Sequence, residues 1–239
     1  MRSIEAIIAS QFKVWEKERL QREAEGKSGA GLRIRPIVTF SRQKGSLGLL
    51  IAEKLAKQLD YRILRREIVD EICKSAGYQK KIIQALDGKV PNPVEFWLEG
   101  LFKGQYVTQP DYTKSLVKVI FSMSELGGVI VIGRGANFIL PPERRFSLRT
   151  IAALPCRIEN LQRYEKLSPD DARDEIIRND RTQTEFIRTT FRRDINDSSA
   201  YDLVVNTTNI DVDSAVKICD EAIKAKWRQL ESAAPGGEN

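Results

Sequence analysis

The chain contains no histidine. That absence excludes Ser-His-Asp and Cys-His nucleophilic catalysis and every histidine-ligated metal centre. Cysteine is scarce too: Cys73, Cys156 and Cys219 are odd in number and far apart, so neither a disulfide framework nor a zinc site is suggested, and all three read as small buried apolar residues. No apolar run approaches the roughly eighteen residues of a membrane-spanning helix, and the N-terminus is charged within its first turns. Neither a transmembrane helix nor a secretory signal is read, and the default location is the cytoplasm. A block of like charge is also missing. The net charge is +6 and the pI about 9.2, but basic residues are interspersed with acidic ones, which argues against nucleic acid and suits polyphosphate ligands.

With 41% hydrophobic and 30% charged residues over 239 positions, the chain can bury one sizeable α/β core with a small attachment. The excluded chemistries leave those that work by positioning and charge, of which phosphoryl transfer is one. One stretch fits such chemistry. Residues 36–60 run from an apolar strand, Ile37 to Phe40, through a Gly/Ser turn into an amphipathic helix with Leu47, Ile51, Leu55 and Leu59 four residues apart. A turn of this kind leaves the first N–H groups of the helix unpaired at the positive end of its dipole, which suits an anion. Backbone donors would come from Gly45, Ser46 and Gly48, with Ser41 and Arg42 at the loop's start. The full Walker pattern adds a lysine and a hydroxyl; here Gly48 and Leu49 stand in those places, so Lys44 or Arg42 is the stand-in cation.

In chain order, residues 3–24 read as a helix, with Ile4, Ile8, Phe12 and Trp15 close to one face, followed by a flexible joint at residues 26–31. This attachment, residues 1–31, covers an apolar patch of its own domain or meets a second copy in a homodimer. A second strand is expected over Tyr61 to Leu64 and a helix over Arg66 to Ala76, then a proline-bounded helix over Val94 to Lys103 inside the irregular segment 78–110. Tyr112 to Leu126 reads as a helix that feeds a strand, Gly128 to Ile132, apolar throughout as a central parallel strand is. That strand delivers Gly133-Arg134-Gly135 to its C-terminal end, where ligands bind in open parallel sheets, which makes Arg134 the best candidate for an acceptor phosphate. A fourth strand is expected over Leu148 to Leu154, ended by Pro155. Ser168 then caps a long helix whose Arg178, Arg181, Arg188 and Arg192 fall within about 80° of one another, opposite Ala172, Ile176, Ile187 and Phe191. A last strand over Tyr201 to Asn206, a helix over Val212 to Leu230 and a frayed tail, residues 231–239, complete the reading.

Five of these stretches, TFSRQKGSLG, LRREIVDEI, VIVIGRGANFIL, NDRTQTEFIRTTF and YDLVVNT, taken in order, resemble the cytidylate kinase-like family of P-loop nucleoside monophosphate kinases. The resemblance spans residues 34 to 225. It implies a three-layer P-loop kinase-like fold over residues 32–230: a five-stranded parallel sheet of order 2-3-1-4-5 with helices on both faces and a helical lid. It makes residues 78–110 the monophosphate-binding insertion and residues 168–197 the lid, whose Arg178 and Arg181 would close over the phosphates. Arg66 and Arg134 would hold the acceptor, ATP with Mg2+ would be the donor, and Lys44 would join the lid arginines in catalysis.

The site's departures are Leu47, Gly48 and Leu49 in the loop, Arg65 where an aspartate is common, and Gln183 where a second basic lid residue is common; Gly135 stands, as it usually does in the kinase-like branch, where cytidylate kinases proper have the aspartate of Gly-Arg-Asp. Two readings follow. One is transfer of the ATP γ-phosphoryl to CMP or dCMP; the other, motivated by the departures, is a catalytically weak or inactive nucleotide-binding regulatory module.

Overall fold

Strand β1, Ile37–Arg42, has its first four residues buried and lies at the centre of a five-stranded sheet. The computed structural model describes residues 36–75 and 110–233, with isolated positions at Lys13, Lys17, Gly77 and Gln79. The expected helix over 3–24 (apart from Lys13 and Lys17), the joint at 26–31 and the helix over 94–103 lie outside the described residues. Helix α1 spans Gly48–Leu59, β2 Arg62–Leu64, α2 Arg66–Lys74, α3 Pro110–Leu126, β3 Val129–Ile132 and the one-turn α4 Ala136–Ile139. Then come β4 Arg145–Ile151, α5 Leu154–Glu165, α6 Pro169–Phe191, β5 Leu203–Asn206 and α7 Val212–Ala233.

The strand order is β2-β3-β1-β4-β5, and all four pairings are parallel. Parallel neighbours need crossovers, and the helices that make them cover both faces. Alternation along the strands sorts the core. Val38 and Phe40 of β1, Ile130 and Ile132 of β3, and Phe146 and Leu148 of β4 face α1 and α7, meeting Ile51, Leu55, Val216 and Cys219. Ile37, Val129 and Val131 face the other way, toward Ile68 and Ile72 of α2, Leu116 and Ile120 of α3, and Ile187 and Phe191 at the end of α6. A small third cluster, Leu161, Ala172 and Ile176, joins α5 to α6.

Strand β4 and the helix after it depart from the sequence expectation. The strand starts at Arg145 and ends at Ile151, and Pro155 opens α5 instead of ending the strand. Proline's fixed φ and missing N–H suit a first helical turn. The shift arises because one face of β4 is polar yet buried: Arg145, Ser147 and Arg149 are 8%, 1% and 4% exposed. Each has a partner. Arg145 donates to the Leu140 carbonyl at 2.9 Å, and Ser147 donates to Asp202 at 2.9 Å. Elsewhere local rules hold: Ser168 caps α6, its hydroxyl accepting from the Asp171 N–H at 3.1 Å. Among the described residues, no helix is long and apolar enough to cross a membrane.

The three cysteines are free, but only Cys73 and Cys219 are buried. Burial pushes the Cys219 thiol up to about 12; at Cys73 burial, aided by the Asp70 charge, does the same. Cys156 is half-buried on α5. An aromatic disulfide reagent at pH 8 should therefore label Cys156 promptly and the other two only on unfolding, as read by peptide mass mapping; equal rates would contradict this packing. Leu55, wholly buried between α1 and the sheet, should lower stability by about 2–5 kcal/mol when replaced in Leu55→Ala, seen as a reduced urea midpoint with an unchanged slope.

Candidate functional site

The loop between β1 and α1 is stitched to the end of β4. The Gln43 N–H donates to the Thr150 carbonyl at 3.0 Å, and the Gln43 side chain accepts from the Ala152 N–H at 3.0 Å. Ser46 is wholly buried; its hydroxyl donates to the Gln43 carbonyl at 2.8 Å and lies 2.9 Å from the Thr150 hydroxyl. That hydroxyl therefore faces inward, away from any phosphate path. Leu47, with φ of 56°, occupies the N-cap of α1, and no side chain caps the helix. The first turn of α1 keeps its open donors.

Glycine is required twice in this loop. Gly45 has φ of +83°, and a Cβ there would sit 2.6 Å from the Arg157 carbonyl oxygen. At Gly48 a Cβ would lie 2.3 Å from the Thr150 hydroxyl and 2.9 Å from the Arg42 Cβ. The position aligned with the Walker lysine is thus packed against β1 and β4, leaving no room for any side chain. Lys44, the stand-in cation expected from the sequence, has its Nζ 2.7 Å from Glu165.

The loop opens on a cleft of about 400 Å³ at the C-terminal ends of β1 and β3. Ser41, Arg42 and Lys44 line one side, Arg65 and Arg66 at the start of α2 another, and Arg134 a third. Leu49, which stands in the place of the Walker hydroxyl, lines it as well. Arg65 pairs with Glu53 at 2.5 Å, and the exposed Arg66 with Glu67 at 3.3 Å. Arg134, at φ of 56°, is held by Asp70, which also accepts from the Tyr112 hydroxyl at 2.7 Å. Burial and that bond to Asp70 push the Tyr112 phenol above its usual range. The Arg134 guanidinium also lies 5.1 Å from the centre of the Phe186 ring on α6. Beside it, a Cβ on Gly135 would meet the Phe191 ring at 2.3 Å, so the aspartate of a Gly-Arg-Asp sequence has no room while α6 packs here.

Helix α6 roofs the cleft with Glu175, Asn179, Thr182, Gln183 and Phe186. Arg178 and Arg181 lie on its outer face: both are exposed, Arg178 pairs with Glu175, and neither lines the cleft. Burial of Ala172, Ile176, Ile187 and Phe191 sets this rotation. Its anchor is Arg157 of α5, whose side chain is 5% exposed. Arg157 donates to both oxygens of Asp180 at 2.8 Å and, through Nε, to the Lys44 carbonyl at 2.6 Å. Asn160 adds a bond to the Gly45 carbonyl at 2.9 Å.

Sequence reasoning missed Arg149 and Arg157. Arg149, on β4, donates to the Ser41 hydroxyl at 2.6 Å and to the Asn196 side chain at 3.0 Å, and its guanidinium lies 5.6 Å from the Tyr201 ring centre. Its signal was the alternation of Arg145, Ser147 and Arg149 with Phe146 and Leu148. Burial pushes the guanidiniums of Arg149 and Arg42 below the usual arginine range. Among the described residues, no group of three or more His, Cys, Asp or Glu side chains could hold a metal ion.

Residues 37–209 match the model of the cytidylate kinase-like family. The chain belongs to that family. Proteins named cytidylate kinase from Saccharolobus islandicus, strains L.S.2.15 and M.14.25, are each 26% identical over 182 residues, covering 76% of this chain and 87% of theirs. An uncharacterized protein from Eubacterium ventriosum ATCC 27560, known from its crystal structure, matches with a TM-score of 0.62 at 20% identity, over 80% of this chain and 99% of that one. At that identity it speaks for the fold alone, and it agrees with the P-loop kinase-like architecture seen here.

Asp180→Asn should leave the buried Arg157 charge without a full partner. Calorimetry should show a loss of about 2–3 kcal/mol, discounted for the partial exposure of Asp180. Unchanged stability would mean that the pair does not anchor α6.

Proposed function

We propose that the chain is a nucleotide phosphotransferase that moves the γ-phosphoryl of ATP to a pyrimidine nucleoside monophosphate, CMP or dCMP. The observation that carries this reading is convergence: Ser41 and Arg42 at the end of β1, Lys44 in the loop after it, and the acceptor-side Arg66 and Arg134 all line one cleft. Membership in the cytidylate kinase-like family, and the name of the 26%-identical relatives, support the choice of acceptor.

In this reading an oxygen of the acceptor phosphate bonds to the γ-phosphorus as the bond to the β–γ bridging oxygen breaks, and ADP leaves with the electron pair. No general base is needed, because such transfer is catalysed by alignment and charge. The open N–H groups at the start of α1 hold phosphate oxygens of ATP. Arg134, fixed by Asp70 and the Phe186 ring, presents its remaining donors to the acceptor phosphate. Mg2+ fits as a companion of the nucleotide: ATP oxygens and water would form most of its shell, with Glu67 and Glu175 as the cleft's carboxylates. Bound so, it would neutralise phosphate charge. Arg178 and Arg181 enter only if α6 turns or swings, since both now face outward.

A second reading, a nucleotide-binding module without turnover, is favoured by the sealed Gly48, the inward Ser46 hydroxyl and the Lys44–Glu165 pair. Assay of ATP and Mg2+ against a panel of nucleoside monophosphates decides between them. We expect turnover on CMP, with kcat/KM falling about 10–100-fold in Arg134→Ala, mostly through KM. A comparable loss of kcat in Arg181→Ala would mean that α6 moves during the cycle. ATP binding without turnover on any acceptor would leave the module reading.

A further inference from the structure

Arg149 is a buried cation with neutral partners. Among the described residues it bonds the Ser41 hydroxyl and the Asn196 amide oxygen, and it faces the Tyr201 ring. At 4% exposure a guanidinium ordinarily requires a carboxylate, as Arg157 has in Asp180. Arg42 is half-buried, under the charges of Glu67 and Glu165, and its Nε is buried and makes no hydrogen bond. Both line a second cavity, of about 100 Å³, between the loop and α6, which is shared with Gln43, Gln183, Thr184 and Asn196. That is room for about three waters, or one tetrahedral oxyanion. The one carboxylate lining it, Asp180, already has both oxygens engaged by Arg157.

Among the described residues, neither cation is hydrogen-bonded to a carboxylate. Only the more distant charges of Asp180, for Arg149, and of Glu67 and Glu165, for Arg42, act on them, so the small cavity between them has room for an anion in direct contact. We propose that Arg149, with Arg42, forms a chamber for a single phosphoryl group, and that Arg149 is the catalytic cation which replaces the lysine excluded at Gly48. This rests on the phosphotransferase reading for its role and on the cavity for its existence. During transfer the group in the chamber is the γ-phosphoryl, which gains a bond to the acceptor oxygen as it loses the one to ADP. Arg149 donates to its equatorial oxygens from a strand that the sheet holds rigid, so the donors need no reorganisation. Gln183, which stands where the family commonly has a basic lid residue, lines the same chamber, so the charge absent from α6 is supplied from β4 below.

Inorganic phosphate, titrated into the full chain without nucleotide, is the probe. It should raise the Tm of the wild-type chain, and its apparent Kd should rise at least tenfold in Arg149→Gln. Should Arg149→Gln fail to fold, Thr184→Glu decides alone: Thr184 is exposed on α6 at the cavity, and an acid there should weaken phosphate by a similar factor without disturbing the core. Phosphate that leaves the wild-type Tm unchanged, or binds both variants as well as wild type, overturns the chamber. Turnover is read separately. Phosphate binding that depends on Arg149, with no monophosphate phosphorylated, would keep the chamber and remove the kinase reading. CMP turnover with a wild-type kcat in Arg149→Gln would remove the chamber's catalytic role and leave the kinase.

Discussion

One guanidinium, that of Arg157, joins three parts of the molecule that would otherwise be independent. From α5 it holds the Lys44 carbonyl of the glycine loop through Nε and Asp180 of the roof helix through its two terminal nitrogens. A planar fork of this kind fixes direction as well as distance, which a lysine could not do. The loop's curvature, the height of α6 above the cleft and the small cavity between them all follow from this contact. Because the side chain is almost wholly buried, the pair cannot be exchanged for water at low cost. Helix α6 is therefore a roof with a fixed anchor at its centre and a second at Phe191, and any opening must break one of them.

Two glycines at motif positions turn out to be packing solutions. Gly48 has no space for a side chain because Thr150 and the Arg42 Cβ stand against it, and Gly135 has none because Phe191 does. In each case the charged residue of the usual motif is excluded by a neighbour from a distant part of the chain. Other cations line the same region: Lys44, Arg42, Arg66 and Arg134 at the cleft, and Arg149 at the small cavity beside it. The polar face of β4 that supplies Arg149 would be a fault in an ordinary core, since a buried charge needs compensation. Here Arg149 lines the small cavity beside the cleft, and in the proposed chamber an anionic ligand would provide that compensation.

Much was legible in the residues themselves. Short continuous apolar runs located β1 and β3, and i, i+4 spacing located α1, because those patterns report burial directly. Ser168 and Pro169 marked the start of α6 because capping is a local affair of backbone donors and side-chain oxygens. The rotation of α6 was also readable, since Ala172, Ile176, Ile187 and Phe191 are its buried stripe. The strand order came from resemblance, as parallel pairing leaves no local trace of which strand lies beside which.

Tertiary structure alone decided what those surfaces face. The arginine stripe of α6 looked like the working face of a lid, yet the cleft lies on a different face of the helix, toward Asn179, Thr182 and Gln183, because α5 and α4 dictate where the apolar stripe docks. Arg149 and Arg157 were not singled out in the sequence, and only the approach of Ser41, Lys44 and Asp180, distant along the chain for Arg149 and for the loop contact of Arg157, gives them their partners. Hydrophobic periodicity is written within one element and so can be read from it. The partner of a buried charge is set by how elements pack, and that belongs to the assembled fold.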